Sequence, residues 1–175
     1  MERKVIVRTS RKALFVTIAV IVMIVLAGVV IFAQAKSEQL IPENIKKQLS
    51  FNVILPTDTE TSKIDKTSIK YSADEKLLAY EVNLSDGNKL VVSEQPSPES
   101  FIDAPQSYDK LIGSLQQYAA FDTQKGRVFL TKPENLKGGQ TAVMNSSGVL
   151  LFIRPEKALT EDAWKQLFNN IEIVK

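Results

Sequence analysis

The chain has no cysteine and no histidine among its 175 residues. The first absence excludes disulfide frameworks, thiol nucleophiles and thiolate metal sites. The second removes the commonest general base and the commonest transition-metal ligand, and with them any Ser-His-Asp triad. Carboxylate, lysine or tyrosine chemistry stays open, as does hard-cation binding by oxygen ligands. An excess of either charge is lacking too, with 22 Lys and Arg against 20 Asp and Glu, a formal net of +2. Even this excess is local. Arg3, Lys4, Arg8, Arg11 and Lys12 crowd into residues 1–12 against Glu2 alone, so the remainder is slightly acidic. Such a balance lacks the basic footprint of nucleic-acid binding, and no nucleic-acid partner is expected. A Gly-rich phosphate loop is also missing; Gly138-Gly139 is an isolated pair that reads as a bend.

What is present, and dominant, is a run without charge from Ala13 to Ala33, in which Thr17 is the one polar side chain. As a helix at 1.5 Å per residue it would span roughly 30 Å, the thickness of a bilayer's hydrocarbon core. In lipid the backbone must satisfy its own hydrogen bonds, so helix is the form expected of an isolated span despite the many β-branched residues. The basic cluster on its N-terminal flank, with no matching excess at Gln34–Glu38, orients it by the positive-inside rule. Residues 1–12 are then a basic cytoplasmic tail, 13–33 a transmembrane helix whose partner is the lipid bilayer, and the rest lies across the membrane. The rival reading is a cleaved signal peptide. Ala33-Gln34-Ala35 has the small-x-small pattern of a signal-peptidase site, with Ala33 and Ala35 as its small residues. Against it, the apolar run exceeds the roughly 7–15 residues of a typical signal core. Both readings export the domain; they differ in whether it stays on the cell membrane or is secreted.

Residues 34–50 read as a stalk or short helix, with Pro42 suited to a first turn and Ile41, Ile45 and Leu49 spaced by four. Residues 51–175 read as an α+β domain. FNVIL (51–55) is a short strand stopped by Pro56, and residues 67–72 alternate as a strand. LLAYEVNL (77–84) and KLVVSEQ (89–95) flank Asp86-Gly87, the strongest hairpin signal in the chain. Residues 96–106 read as a polar connection, and the spacing of Tyr108, Leu111, Leu115 and Tyr118 predicts a helix over 107–121. RVFLT (127–131), TAVMN (141–145) and VLLFIR (149–154) are β-like, the last two joined by Ser146-Ser147-Gly148. Thr160 is a predicted N-cap, followed by a helix with an apolar stripe of Ala163, Trp164, Leu167, Phe168 and Ile171. The expected class is thus mainly antiparallel sheet with two or three packed helices, preceded by a single transmembrane helix.

Chemical motifs are few. Ser107 and Lys110 have the Ser-x-x-Lys spacing of some exported hydrolases, but so short a pattern is better read as the charged outer face of a helix. Asp58, Glu60 and Asp65, or Asp74 and Glu75, lack the regular spacing and central glycine of a calcium loop, so no metal and no cofactor is expected. Glu94 and Gln95, closing one hairpin strand, and Arg154, closing the last predicted strand, are the candidates for a ligand surface, because strand ends and loops carry function.

The order FNVILP, LLAYEVNLSDGNKLVVSEQ, GRVFLTK and GVLLFIRPEKALTEDAWKQLF, spread over residues 50–174, is similar to a bacterial domain family of unknown function. Its members lie on the outer side of membrane-anchored proteins, including C-terminal regions of some anti-sigma-factor-like and sporulation-associated proteins. The resemblance implies an α+β sensory or binding module and brings no catalytic residues. The 12 residues ahead of the apolar run are too few for a sigma-binding domain, so direct anti-sigma activity is not expected. The expectation is a non-enzymatic envelope module that binds a protein, peptide or cell-wall ligand. An accessory subunit of a membrane complex is the alternative, followed by a hydrolase using carboxylates or Ser/Lys.

Overall fold

The computed structural model describes residues 40–132 and 139–174. The basic tail, the apolar run 13–33, the Ala33/Ala35 pair and Gly138 lie outside the described residues. Among the described residues no helix is long and apolar enough to cross a membrane.

Period-two patterning builds most of the domain. In β3 (Leu77–Leu84) Leu78, Tyr80 and Val82 point inward, and in β4 (Lys89–Pro96) Leu90, Val92 and Glu94 do the same. Their turn has the predicted Asp-Gly chemistry: Gly87 takes φ +79°, which glycine adopts without a Cβ clash, and Asp86 Oδ1 accepts from the Asn88 N–H. Buried Asn88 then ties the turn to the chain leaving the neighbouring strand β8, its amide donating to Lys157 O and its oxygen accepting from Lys157 N. The β7–β8 hairpin (Thr141–Ser146 and Val149–Pro155) turns at Ser147 and Gly148, both with positive φ as a type I′ turn requires.

These hairpins join β2 (Ser62–Ser72), β5 (Gln117–Thr123) and β6 (Gly126–Thr131) in one antiparallel sheet of order β2-β3-β4-β8-β7-β6-β5. A separate ribbon pairs β1 (Val53–Pro56) with β9 (Ile171–Val174), the two ends of the domain. Four helices complete the described residues: α1 (Glu43–Lys46), α2 (Glu99–Asp103), α3 (Gln106–Ser114) and α4 (Glu161–Asn169). The fold is α+β and mainly antiparallel. Pro42, Pro98 and Pro105 each stand just ahead of a helix, where the missing N–H is no loss. Thr160 caps α4 as predicted, accepting from the Ala163 N–H at 3.2 Å.

The sheet is covered unequally. On its inner face Trp164, Leu167 and Phe168 of α4, the β1–β9 ribbon and Ile45 of α1 pack against inward residues of the strands in one continuous core. On its outer face Phe101, Tyr108 and Ile112 from α2 and α3 cover only Val143, Leu150 and their neighbours Phe129 and Phe152.

Several expectations need correction. The helix predicted over 107–121 ends at Ser114; Gln116 turns the chain with φ +54°, and 117–123 is strand β5. Of the predicted stripe, Tyr108, Leu111 and Leu115 do pack together with Ile112, but Tyr118 belongs to an edge strand and is 48% exposed. The connection 96–106 contains α2, a single turn whose Phe101 ring sits 5.3 Å from Tyr108. Pro56 does not stop β1 but ends it as a paired residue opposite Ile171. The predicted terminal helix gives up Ile171 to β9, which lacks any local signal because its partner is more than 100 residues away. Of the two readings of residues 34–50, stalk or short helix, the described part fits the second: Glu43–Lys46 is helical, and Leu40, Ile41 and Ile45 are buried in the main core.

Candidate functional site

The three residues chosen as a ligand surface divide between the two faces. Gln95 and Arg154 are on the outer face: Gln95 is half-buried opposite Leu150, and Arg154 is exposed opposite Val91. Glu94 points the other way. It has no exposed surface at all, so its assignment to a solvent-facing rim is overturned. The parity of the strand explains this, since Glu94 lies two residues beyond Val92 and four beyond Leu90, both core.

The open part of the outer face spans β2, β3, β4 and the end of β8. One cross-strand row runs Glu81, Val91, Arg154; the next runs Ala79, Ser93, Phe152 and passes under α3 at Val143. Val91 is 48% exposed between an acid and a base, and among the described residues Arg154 has no ion-pair partner. Glu81 meets Lys89 at 3.4 Å, a screened surface pair worth little to stability.

Two clefts are also present. One of about 190 Å³ lies between the β3–β4 turn and α4, with Ser85, Asp86, Gln166 and Asn170 on its walls. The other, about 260 Å³ and more apolar, lies beside α1 between Leu49, Phe51, Val53 and Val174. Both are smaller than the range of about 300–1,000 Å³ usual for small-molecule sites.

On the inner face, Glu94 is enclosed with Tyr80 and Ile54. The Ile54 N–H donates to Glu94 Oε2 at 2.7 Å, the Tyr80 hydroxyl lies 2.9 Å from Glu94 Oε1, and it lies 3.0 Å from Ile54 O. Burial pushes the carboxyl up to about 8, against the opposing pull of the Ile54 and Tyr80 hydrogen bonds. Tyr80 is pushed well above its usual value by burial first and by the facing carboxyl second. On the outer face burial likewise pushes Tyr108 up to about 12; the Asn145 backbone is near it, but its hydroxyl has no partner at bonding geometry.

The other sequence candidates do not assemble. Ser107 and Lys110 share α3, and among the described residues no hydrogen bond joins them. Asp58 accepts from the Ile64 N–H and Asp65 from Thr67, so both carboxylates hold local backbone; the Thr67 bonds draw Asp65 below its usual range. Among the described residues no group of three or more carboxylates could hold a metal ion. No protein-family model matches the chain, and neither a curated protein nor a solved structure matches it.

Proposed function

We propose that this protein is a single-pass, membrane-anchored module of the cell envelope that presents an α+β domain outside the cytoplasm and acts by binding another macromolecule, without catalysis. The observation that carries this reading is the uncharged run Ala13–Ala33 behind five basic residues, joined to a domain with its own core. The open outer face around Val91 and Arg154 supplies the contact surface, and its partner is a protein, peptide or cell-wall polymer.

Absence of cysteine makes the topology directly testable. A single cysteine in place of exposed Ser85, in the β3–β4 turn, is expected to react with a membrane-impermeant maleimide in intact cells. One in place of Thr9 is expected to react only after permeabilisation. Labelling at position 85 only in permeabilised cells would place the domain inside and sink the reading. Intact mass of the mature chain then distinguishes a retained anchor from cleavage after Ala35.

A further inference from the structure

We propose that Glu94 is a proton-holding latch: as the neutral acid it fastens β1 to the sheet, and loss of its proton loosens β1 together with the ribbon it forms with β9. This goes beyond the functional reading above and does not depend on it.

Tyr80 Oη is within hydrogen-bond distance of two oxygens, Glu94 Oε1 and Ile54 O, yet a phenol carries one hydrogen. With an ionised Glu94 one of those contacts would be two acceptors facing each other at about 3 Å without a proton between them. A protonated Glu94 removes the conflict. Its O–H donates to Tyr80 Oη, the Tyr80 O–H donates to Ile54 O, and the Ile54 N–H donates to Glu94 Oε2. The ring closes with each hydrogen placed once. Glu94 and Tyr80 together thus bind both peptide groups of Ile54 much as a neighbouring strand would, at a point where β1 has no strand on that side.

Among the described residues nothing nearby would hold the charged form. Leu78 and Leu151 stand opposite Glu94 on the flanking strands, β1 has no ionisable side chain, and the inward residues of α1 and α4 are Ile45, Trp164, Leu167 and Phe168. Of the described residues Tyr80 is the other titratable group that acts on it, and no basic side chain does. Ile54, Tyr80 and Glu94 are each at most 2% exposed, so no water reaches an ionised carboxylate while β1 stays in place. Burying an unpaired carboxylate is strongly unfavourable, and lifting β1 is the shortest route to hydration. β1 begins only three residues after Ser50, so the strand that responds is the first of the described strands in the sequence.

The test compares the full chain with Glu94→Gln in detergent micelles. A glutamine reproduces the neutral arrangement permanently, its Nε2 donating to Tyr80 Oη and its Oε1 accepting from Ile54. Hydrogen–deuterium exchange of the amides of residues 53–55 is followed from about pH 6 to about pH 9 and corrected for the intrinsic rate. The wild-type chain is expected to lose roughly 10-fold or more in protection, the factor that about one pKa unit represents, while Glu94→Gln keeps it. Equal protection in both chains across the range would overturn the proposal. Should the variant not fold, infrared difference spectra of the wild type decide. A protonated-carboxyl band at about pH 6, where ordinary carboxylates are ionised, that vanishes in step with β1 exchange supports the latch. No such band overturns it.

Discussion

The two faces of the large sheet are made from the same strands, residue by residue in alternation, and they have opposite fates. The inner face is closed by α4, the β1–β9 ribbon and α1, so completely that it seals in an acid, Glu94. The outer face is roofed by α2 and α3 only over β6, β7 and part of β8, which leaves Val91 and Arg154 in solvent. Coverage therefore decides which chemistry each face can perform. Under a closed roof a carboxyl is governed by desolvation and by the few hydrogen bonds it can make. On the open side charges are screened and cheap to rearrange, which makes them poor stabilisers and good contact points.

The largest effect is expected from breaching the closed face. Trp164 is fully buried, packs with its ring tilted 36° against Phe168 at 6.2 Å, and donates its indole N–H to Gln140 Oε1 at 3.2 Å. Gln140 uses the same oxygen to accept from the Leu159 N–H, so the tryptophan also steadies the approach to α4. Trp164→Ala should cost about 3–5 kcal/mol, read as a fall in denaturant midpoint. A loss below about 1 kcal/mol would mean that this face is not closed as described.

Next comes the response of that face to pH. The folded-state value of Glu94 lies above its ordinary value of 4.5, so the folded chain keeps a proton that the unfolded chain has already released. The associated stability is fully present below about pH 4.5, and it is lost progressively as pH rises to about 8. The slope should be on the order of 1 kcal/mol for each pH unit inside that window. The chain has no histidine or cysteine, the side chains that ordinarily titrate near neutrality, which helps to isolate the signal. Urea titrations of the wild type between about pH 5 and pH 8 should show this decline, and Glu94→Gln should show a nearly flat profile. A flat wild-type profile would contradict a neutral Glu94.

The contrast between faces was partly legible in the sequence. Hairpins β3–β4 and β7–β8 and the cap of α4 were readable because Asp86-Gly87, Ser147-Gly148 and Thr160 encode them within a few residues. The parity of β4 also placed Glu94 beside Leu90 and Val92, but the rule that charges seek solvent concealed what the alternation implied. Strand β9 and its pairing with β1 had no local signature, since Val53 meets Val174 only through the tertiary fold. The ending of α3 was obscured by an accident of spacing: Tyr118 continues the helical stripe in sequence but hangs on an edge strand, where its hydroxyl accepts from Gln140 Nε2. Gln95 and Arg154 were chosen for their position at strand ends, and the alternation that puts them on one face also separates them from Glu94.

A smaller loss tests how the closing helix is held. Thr160→Ala removes the hydroxyl that accepts from the Ala163 N–H and should lower stability by about 1 kcal/mol without altering the pH slope. A changed slope would mean that α4 and the Glu94 cluster move together.

The smallest effect on folding is expected on the open face, and there the smallness is the point. Arg154 is exposed, lies opposite Val91, and has no ion-pair partner among the described residues. Arg154→Gln keeps the length and polarity of the side chain while removing its charge, so stability should stay within about 0.5 kcal/mol of the wild type. A photo-crosslinking residue at position 91 in intact membranes should nevertheless yield a discrete adduct, whereas one at exposed Lys125 on the β5–β6 turn should not. Arg154→Gln should weaken that adduct, because a charge at a contact surface governs encounter and register more than it governs the fold. If the adduct persists unchanged, or if the two positions crosslink alike, the uncovered half of the sheet is merely uncovered. The distinction between the faces would then lie in burial and not in use.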